Sequence, residues 1–126
     1  MLRFYKSFLY ALNGVIVLTK TERNFQIIVV GAILSLITSI GFEFSTMPLN
    51  SSEWLFIFLG IGLVSVSEAL NTAIEKTLDT LHPNIHPGVG KAKDMAAGAT
   101  MIASTIALII GIVVFGSRFW ELLTLS

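Results

Sequence analysis

Apolar residues run along this chain in long blocks separated by short polar breaks. Over residues 2–19, Phe4, Phe8, Leu9, Leu12, Val15, Ile16 and Leu18 recur at roughly helical spacing, with Arg3 and Lys6 near one end. That is the pattern of an amphipathic helix lying in a membrane interface. As a crossing span, residues 7–19 would cover only ~20 Å, short of a hydrocarbon core of about 30 Å. Residues 25–42 form an apolar run of about 18 residues, interrupted only by Gln26 and by small or hydroxylated side chains, and this is just enough to cross. Ser45 to Ser52, with Pro48 and Asn50, reads as a short loop, and Trp54 marks the next interface.

No proline interrupts residues 54–81, so this segment predicts one long helix of ~42 Å that crosses the bilayer and protrudes. The stretch from His82 to Gly90 carries Pro83, Pro87, Gly88 and Gly90 and is expected to be a loop. Residues 95–115 form a last span rich in Ala, Gly, Ser and Thr, which permits close helix packing. The expected architecture is all-α and integral to a membrane. It is a single domain over residues 1–126, with an interfacial helix at 2–19 and membrane helices at 25–42, 54–81 and 95–115.

Composition agrees: 54% of the 126 residues are hydrophobic, and the mean hydropathy is +0.82. A soluble domain reaches about 45–50% apolar residues even with glycine counted. The formal net charge is zero, without the basic footprint of a nucleic-acid binder, and no nucleic-acid partner is expected. There is no cysteine, which excludes disulfides and thiolate chemistry. The first apolar stretch lacks a small-residue cleavage site before Lys20, so no signal peptide is expected. Three helices alone enclose little space, and a buried site then needs neighbouring copies of the chain, so a homo-oligomer is expected. Arg3, Lys6, Lys20, Arg23, Lys76, Lys91 and Lys93 flank one side of the spans and Arg118 the other, which orients the basic side toward the cytoplasm.

The chemistry concentrates between residues 68 and 79. Glu68, Asn71, Glu75 and Asp79 fall within a sector of roughly 80° of one helix. Counted from Trp54, Glu68 lies ~21 Å and Glu75 ~31 Å across the bilayer. An ionisable residue at the depth of Glu68 costs at least ~2.5 kcal/mol, so it marks a functional site or a bonded helix interface. Lys91 and Lys93-Asp94 lie at the level of Glu75. Lys91 reads equally as an ordinary basic flank, whereas Lys93, expected near a helix start, opposes the local dipole. Glu22 arrives at the same level, where a capping role for Thr21 or Glu22 explains it equally well. Together these residues suggest Glu22 and Glu75 as hard oxygen ligands for magnesium, Glu68 as a base and Lys93 as a phosphate partner, a set suited to phosphoryl transfer. Neither a P-loop nor a dinucleotide fingerprint is present. His82 and His86 alone are too few for a zinc site. A proton or cation carrier using Glu68, and a purely structural oligomer, are the competing readings.

The run Glu68-Ala69-Leu70-Asn71-Thr72-Ala73-Ile74-Glu75, with Asp79, His86 and Lys93-Asp94 before a small-residue span, resembles the prokaryotic integral membrane diacylglycerol kinase family, which includes the undecaprenol kinases. The similarity runs from about Arg3 to Gly111 and is densest over residues 68–98. It implies an ATP- and magnesium-dependent kinase of the bacterial inner membrane. The resemblance also implies a homotrimer of protomers with one interfacial and three membrane helices, whose active sites are shared between subunits and face the cytoplasm. By the same resemblance Glu68 is the general base, and Glu22 and Glu75 bridge to the metal. Arg3, Tyr10, Asn84, Ile85, His86, Lys93 and Asp94 contact ATP together with Glu22 and Glu75, and Asn71 and Asp79 support the site. Where the diacylglycerol branch tends to read Lys-Asp-Met-Gly-Ser-Ala, this chain reads Lys93-Asp94-Met95-Ala96-Ala97-Gly98-Ala99, closer to the undecaprenol branch. Undecaprenol is therefore the expected lipid, ahead of diacylglycerol.

Overall fold

The computed structural model describes residues 2–84 and 86–125. It contains α1 (Leu2–Thr21), α2 (Arg23–Glu43), α3 (Ser51–Leu81) and α4 (Pro87–Leu125). The last three are long and apolar enough to cross a membrane. Helix α1 packs on α2, α2 on α3, and the most extensive packing joins α3 to α4. The order of these antiparallel helices puts residue 22, the end of α3 and the start of α4 at one end of the bundle, and the 44–50 turn at the other.

All three membrane helices start earlier than the hydropathy pattern predicts, α2 by two residues, and for α3 and α4 the cause is local. Helix α3 begins at Ser51 because Asn50 and Glu53 form a capping box: Asn50 Oδ1 accepts from the Glu53 N–H at 3.0 Å, and Glu53 Oε2 from the Asn50 N–H at 2.8 Å. Ser51 and Ser52 therefore belong to the helix and not to the loop. At the other end, Pro87, Gly88, Val89 and Gly90 are the first turn of α4, a correction to the expected loop over 82–90. Proline suits a first helical position because its missing N–H has no partner there anyway. His86 caps the turn, its Nδ1 accepting from the Gly88 N–H at 3.1 Å. Lys93 and Asp94 consequently sit well inside α4, so the dipole argument drawn from a helix start at residue 95 does not apply. Helix α4 also continues past Phe115, and its 39 residues span ~58 Å.

Lipid offers no hydrogen bonds, so hydroxyls on the spans must find partners inside the chain. Ser39, the one fully buried side chain among the described residues, donates to the Ser35 carbonyl at 2.8 Å. Thr38, Ser65 and Thr105 bond back one turn in the same way. The tightest apolar packing lies at the 44–50 end, where Phe42, Leu49, Ile57 and Val114 are buried together. Phe42 stacks on Phe115 at 6.3 Å and meets Phe119 edge-on at 5.4 Å. Elsewhere most large apolar side chains are exposed, as lipid-facing surface is. An open apolar groove of about 840 Å³ lies between α2, α3 and α4, with Gly31, Gly60, Val64, Ala107 and Gly111 among its walls.

Candidate active site

The polar stripe of α3 is present, and burial grades it. Glu68 is 4% exposed and has no hydrogen bond or ion pair among the described residues. Asn71 and Thr72 are buried, Glu75 is half-buried and Asp79 is exposed. Because α3 is unbroken, Glu68 and Glu75 stand two turns apart, ~10 Å along the axis. Asn71, between them in sequence, bonds only Glu75 among the described residues: its Nδ2 donates to Glu75 Oε1 at 3.3 Å, while its Oδ1 is buried with no partner. A buried, unpaired amide oxygen is destabilising and calls for a donor, such as a hydroxyl, brought by a ligand. One turn toward the 44–50 end, the same face continues through Val64 and Gly60 into the apolar groove.

Glu22 joins the site from the α1–α2 junction. It lies in extended backbone between the two helices, and its side chain makes no cap hydrogen bond. Instead, Oε1 accepts from the Thr21 hydroxyl at 2.7 Å and pairs with Lys76 Nζ at 3.1 Å. The Thr21 hydroxyl first, and then the Lys76 ammonium, hold this carboxyl below the usual glutamate range. Gln26 closes the junction by donating to the Thr19 and Lys20 carbonyls at the end of α1.

Lys93 is brought onto Asp79, bonding both carboxylate oxygens at 2.9 and 3.1 Å. Asp94 and Asn84 are exposed nearby in sequence, and His86 serves as the α4 cap. Ile85 lies outside the described residues. Arg3 and Tyr10 are exposed on α1. The structure thus joins Glu22 to Lys76, Asn71 to Glu75 and Asp79 to Lys93, and leaves Glu68 unpaired. Lys76 counted in the sequence only as a flanking charge, because its tie to Glu22 is between residues far apart in the chain. The Ser67 hydroxyl, which bonds Thr100 at 3.2 Å across α3 and α4, was equally invisible.

No group of three His, Asp or Glu side chains converges as a ready cation cage among the described residues. The donor chemistry nevertheless fits a cation that arrives on a nucleotide. Glu22 and Glu75 each have one oxygen anchored by a protein donor and the other without a hydrogen bond among the described residues. Two carboxylates suffice for magnesium when phosphate and water complete its shell.

The profile of the prokaryotic diacylglycerol kinase family matches residues 9–115. The chain is 42% identical over 113 residues to an undecaprenol kinase of Bacillus subtilis (strain 168), covering 90% of this chain and 88% of that one. It is 31% identical over 100 residues to a diacylglycerol kinase of Helicobacter pylori (strain J99), covering 79% of this chain and 74% of that one. The chain belongs to the prokaryotic diacylglycerol kinase family. It is accordingly a lipid kinase, and a kinase of this family uses ATP. The matched segment contains Glu22, Glu68, Asn71, Glu75, Asp79, Lys93 and Asp94, and leaves out Arg3 at one end and Arg118 at the other. A lipid kinase needs its acceptor hydroxyl at membrane depth and its phosphate donor at the water boundary. Along α3 the stripe passes from buried Glu68 to exposed Asp79.

Proposed function

We propose that this lipid kinase transfers the γ-phosphoryl group of magnesium ATP to undecaprenol, giving undecaprenyl phosphate. The observation that carries the reading is Glu68, a buried carboxylate without a partner, placed between an apolar groove and the polar end of α3. A lipid laid along the groove brings its hydroxyl to that level. Glu68 takes the hydroxyl proton, the alkoxide-like oxygen forms a new bond to the γ-phosphorus, and the bond from that phosphorus to the β–γ bridging oxygen breaks, releasing ADP. Asn71 Nδ2 fixes Glu75, and its buried, unpartnered Oδ1 supplies a further hydrogen-bond acceptor one turn from Glu68.

Glu22 and Glu75 hold the magnesium, which when bound neutralises phosphate charge. Lys93, held by Asp79, is the phosphate partner, and Asp94, Arg3, Tyr10, Asn84, Ile85 and His86 complete the nucleotide site. Residues 1–126 act as one kinase domain in a homotrimer with shared sites, in the bacterial inner membrane with the 82–86 end facing the cytoplasm. The higher identity and coverage of the Bacillus undecaprenol kinase favour undecaprenol. The Helicobacter relative supports diacylglycerol as the second reading.

The test is to give purified protein magnesium ATP with equal amounts of undecaprenol and diacylglycerol and compare initial rates. Faster undecaprenyl phosphate formation is expected. Preferential phosphatidic acid formation overturns the acceptor, and no phosphorylation of either lipid overturns the reading.

A further inference from the structure

Glu22 sits in extended backbone at the N-cap of α2, and its side chain makes no cap hydrogen bond. Its carboxylate is given instead to Thr21 and Lys76. The Lys76 side chain is 68% exposed, and an ion pair so open to water recovers little stability. The lysine thus adds little stability, and what the pair supplies is placement. Lys76 follows Glu75 in α3, so the pair fixes the α1–α2 junction at the level of the Glu75 carboxylate.

The division of oxygens is also specific. Thr21 and Lys76 both take Oε1 of Glu22, and Oε2 makes no hydrogen bond among the described residues. Glu75 is treated in the same way, with Oε1 taken by Asn71. A lysine competing with a cation for Glu22 would have to leave before the cation binds. Here it need not, and water screens its charge.

We propose that Lys76 is a positioning residue for the metal–nucleotide site, holding Glu22 by one oxygen beside Glu75 and leaving the other for a divalent cation. Lys76 has this role only if Glu22 and Glu75 are the cation's carboxylates, as read above. Residues that orient a metal ligand typically alter metal affinity when removed, and an exposed one belongs at the lower end of that range.

The experiment titrates manganese(II) into the full-length protein in lipid nanodiscs with a non-hydrolysable ATP analogue, following bound metal by electron paramagnetic resonance. Lys76→Met is expected to raise the manganese Kd about tenfold, and Lys76→Arg to restore it. In turnover, Lys76→Met raises KM for magnesium while kcat at saturation stays within about twofold. An unchanged Kd in Lys76→Met overturns the role, as does a lowered one, the signature of a competitor. A drop in unfolding temperature with Kd unmoved marks a merely structural tie and overturns it too. Glu22→Gln in the same titration separates the two levels. If it leaves Kd unchanged, the cation is not at Glu22 and the metal assignment fails. If it raises Kd while Lys76→Met does not, the role of Lys76 alone is lost.

Discussion

The two ends of the bundle use similar side chains in opposite ways. At the 44–50 end, Arg118 donates to both oxygens of Glu53 at 2.6 Å and to the carbonyls of Met47, Pro48 and Val114. Glu53 completes a capping box, and Trp54 Nε1 donates to Glu43 at 3.3 Å. Aromatic rings pack beneath this junction. It is a closed joint, with Arg118 and Glu53 paired and the start of α3 capped. At the 82–86 end, among the described residues, Glu68 is buried without a partner, Asn71 Oδ1 is unsatisfied, and Glu22 and Glu75 each keep an oxygen open. A buried acceptor left without a donor, as Asn71 Oδ1 is, is destabilising, and folding alone does not account for retaining it. The closed end ties α3 to α4, whereas the open end holds the residues proposed to meet the substrates.

The largest expected effect that tests this contrast is on Glu68. Glu68→Gln keeps size and hydrogen-bonding capacity but removes the proton acceptor, and kcat should fall by roughly 10²–10⁴-fold. The thermal unfolding midpoint of the same variant should not drop, because no protein partner of Glu68 is lost. A variant that unfolds early yet retains turnover would make the open end structural and erase the difference between the two ends.

Arg118→Ala tests the closed end and should show the reverse profile. Glu53 loses the donor to both its oxygens, and the Met47 and Pro48 carbonyls lose theirs, which costs about 2–3 kcal/mol for a partly buried, charge-assisted set. The measurement is unfolding in detergent or nanodiscs, alongside the rate at a temperature where the variant is folded. That rate should remain within about twofold, since truncation here removes only stability. Adding Glu53→Gln should cost less than the two single effects combined, because the residues share one interaction.

Asn71→Leu falls between the two. It removes an unsatisfied buried acceptor, so stability should hold or rise by up to about 1 kcal/mol. It also frees Glu75 Oε1, and turnover should fall about tenfold or more, as when a ligand loses its orienting partner. A loss of stability would mean that Asn71 belongs to the packing of the helices.

How far this contrast was legible in the sequence depends on range. The stripe from Glu68 to Asp79 was readable because four residues on one helix obey a fixed period. Its gradation from buried to exposed was not, since burial depends on how α2 and α4 cover it. The α3 start was written locally in Asn50 and Glu53, yet Pro48, Ser51 and Ser52 gave the segment the look of a loop. The α4 start was hidden because Pro87, Gly88 and Gly90 read as breakers, although a first helical turn tolerates them behind a capping His86. The Arg118–Glu53 pair joins residues 65 apart, and the Lys76–Glu22 tie is also remote, so no periodic pattern contains either. Local chemistry announced the candidate site. The ties that place it are tertiary.

The smallest expected effect is a pH dependence at the α1–α2 junction. The Thr21 hydroxyl and then Lys76 depress the Glu22 carboxyl in the folded chain below its unfolded value, ordinarily about 4.3. The folded state therefore binds its proton less readily, and the stability this linkage contributes is present above the unfolded value and lost as pH falls through the depressed folded one. Hydrogen exchange at residues 18–26 should accordingly be flat from neutral pH down to the ordinary glutamate range and loosen only below it. In Glu22→Gln the step should vanish, and in Lys76→Met it should shift up in pH while persisting, because the Thr21 hydroxyl still favours the carboxylate. The Arg118–Glu53 joint offers the internal control: it joins different helix ends, so exchange there should not follow the Glu22 substitution. A step at residues 18–26 that survives Glu22→Gln would assign it to another carboxylate and detach the junction from the site.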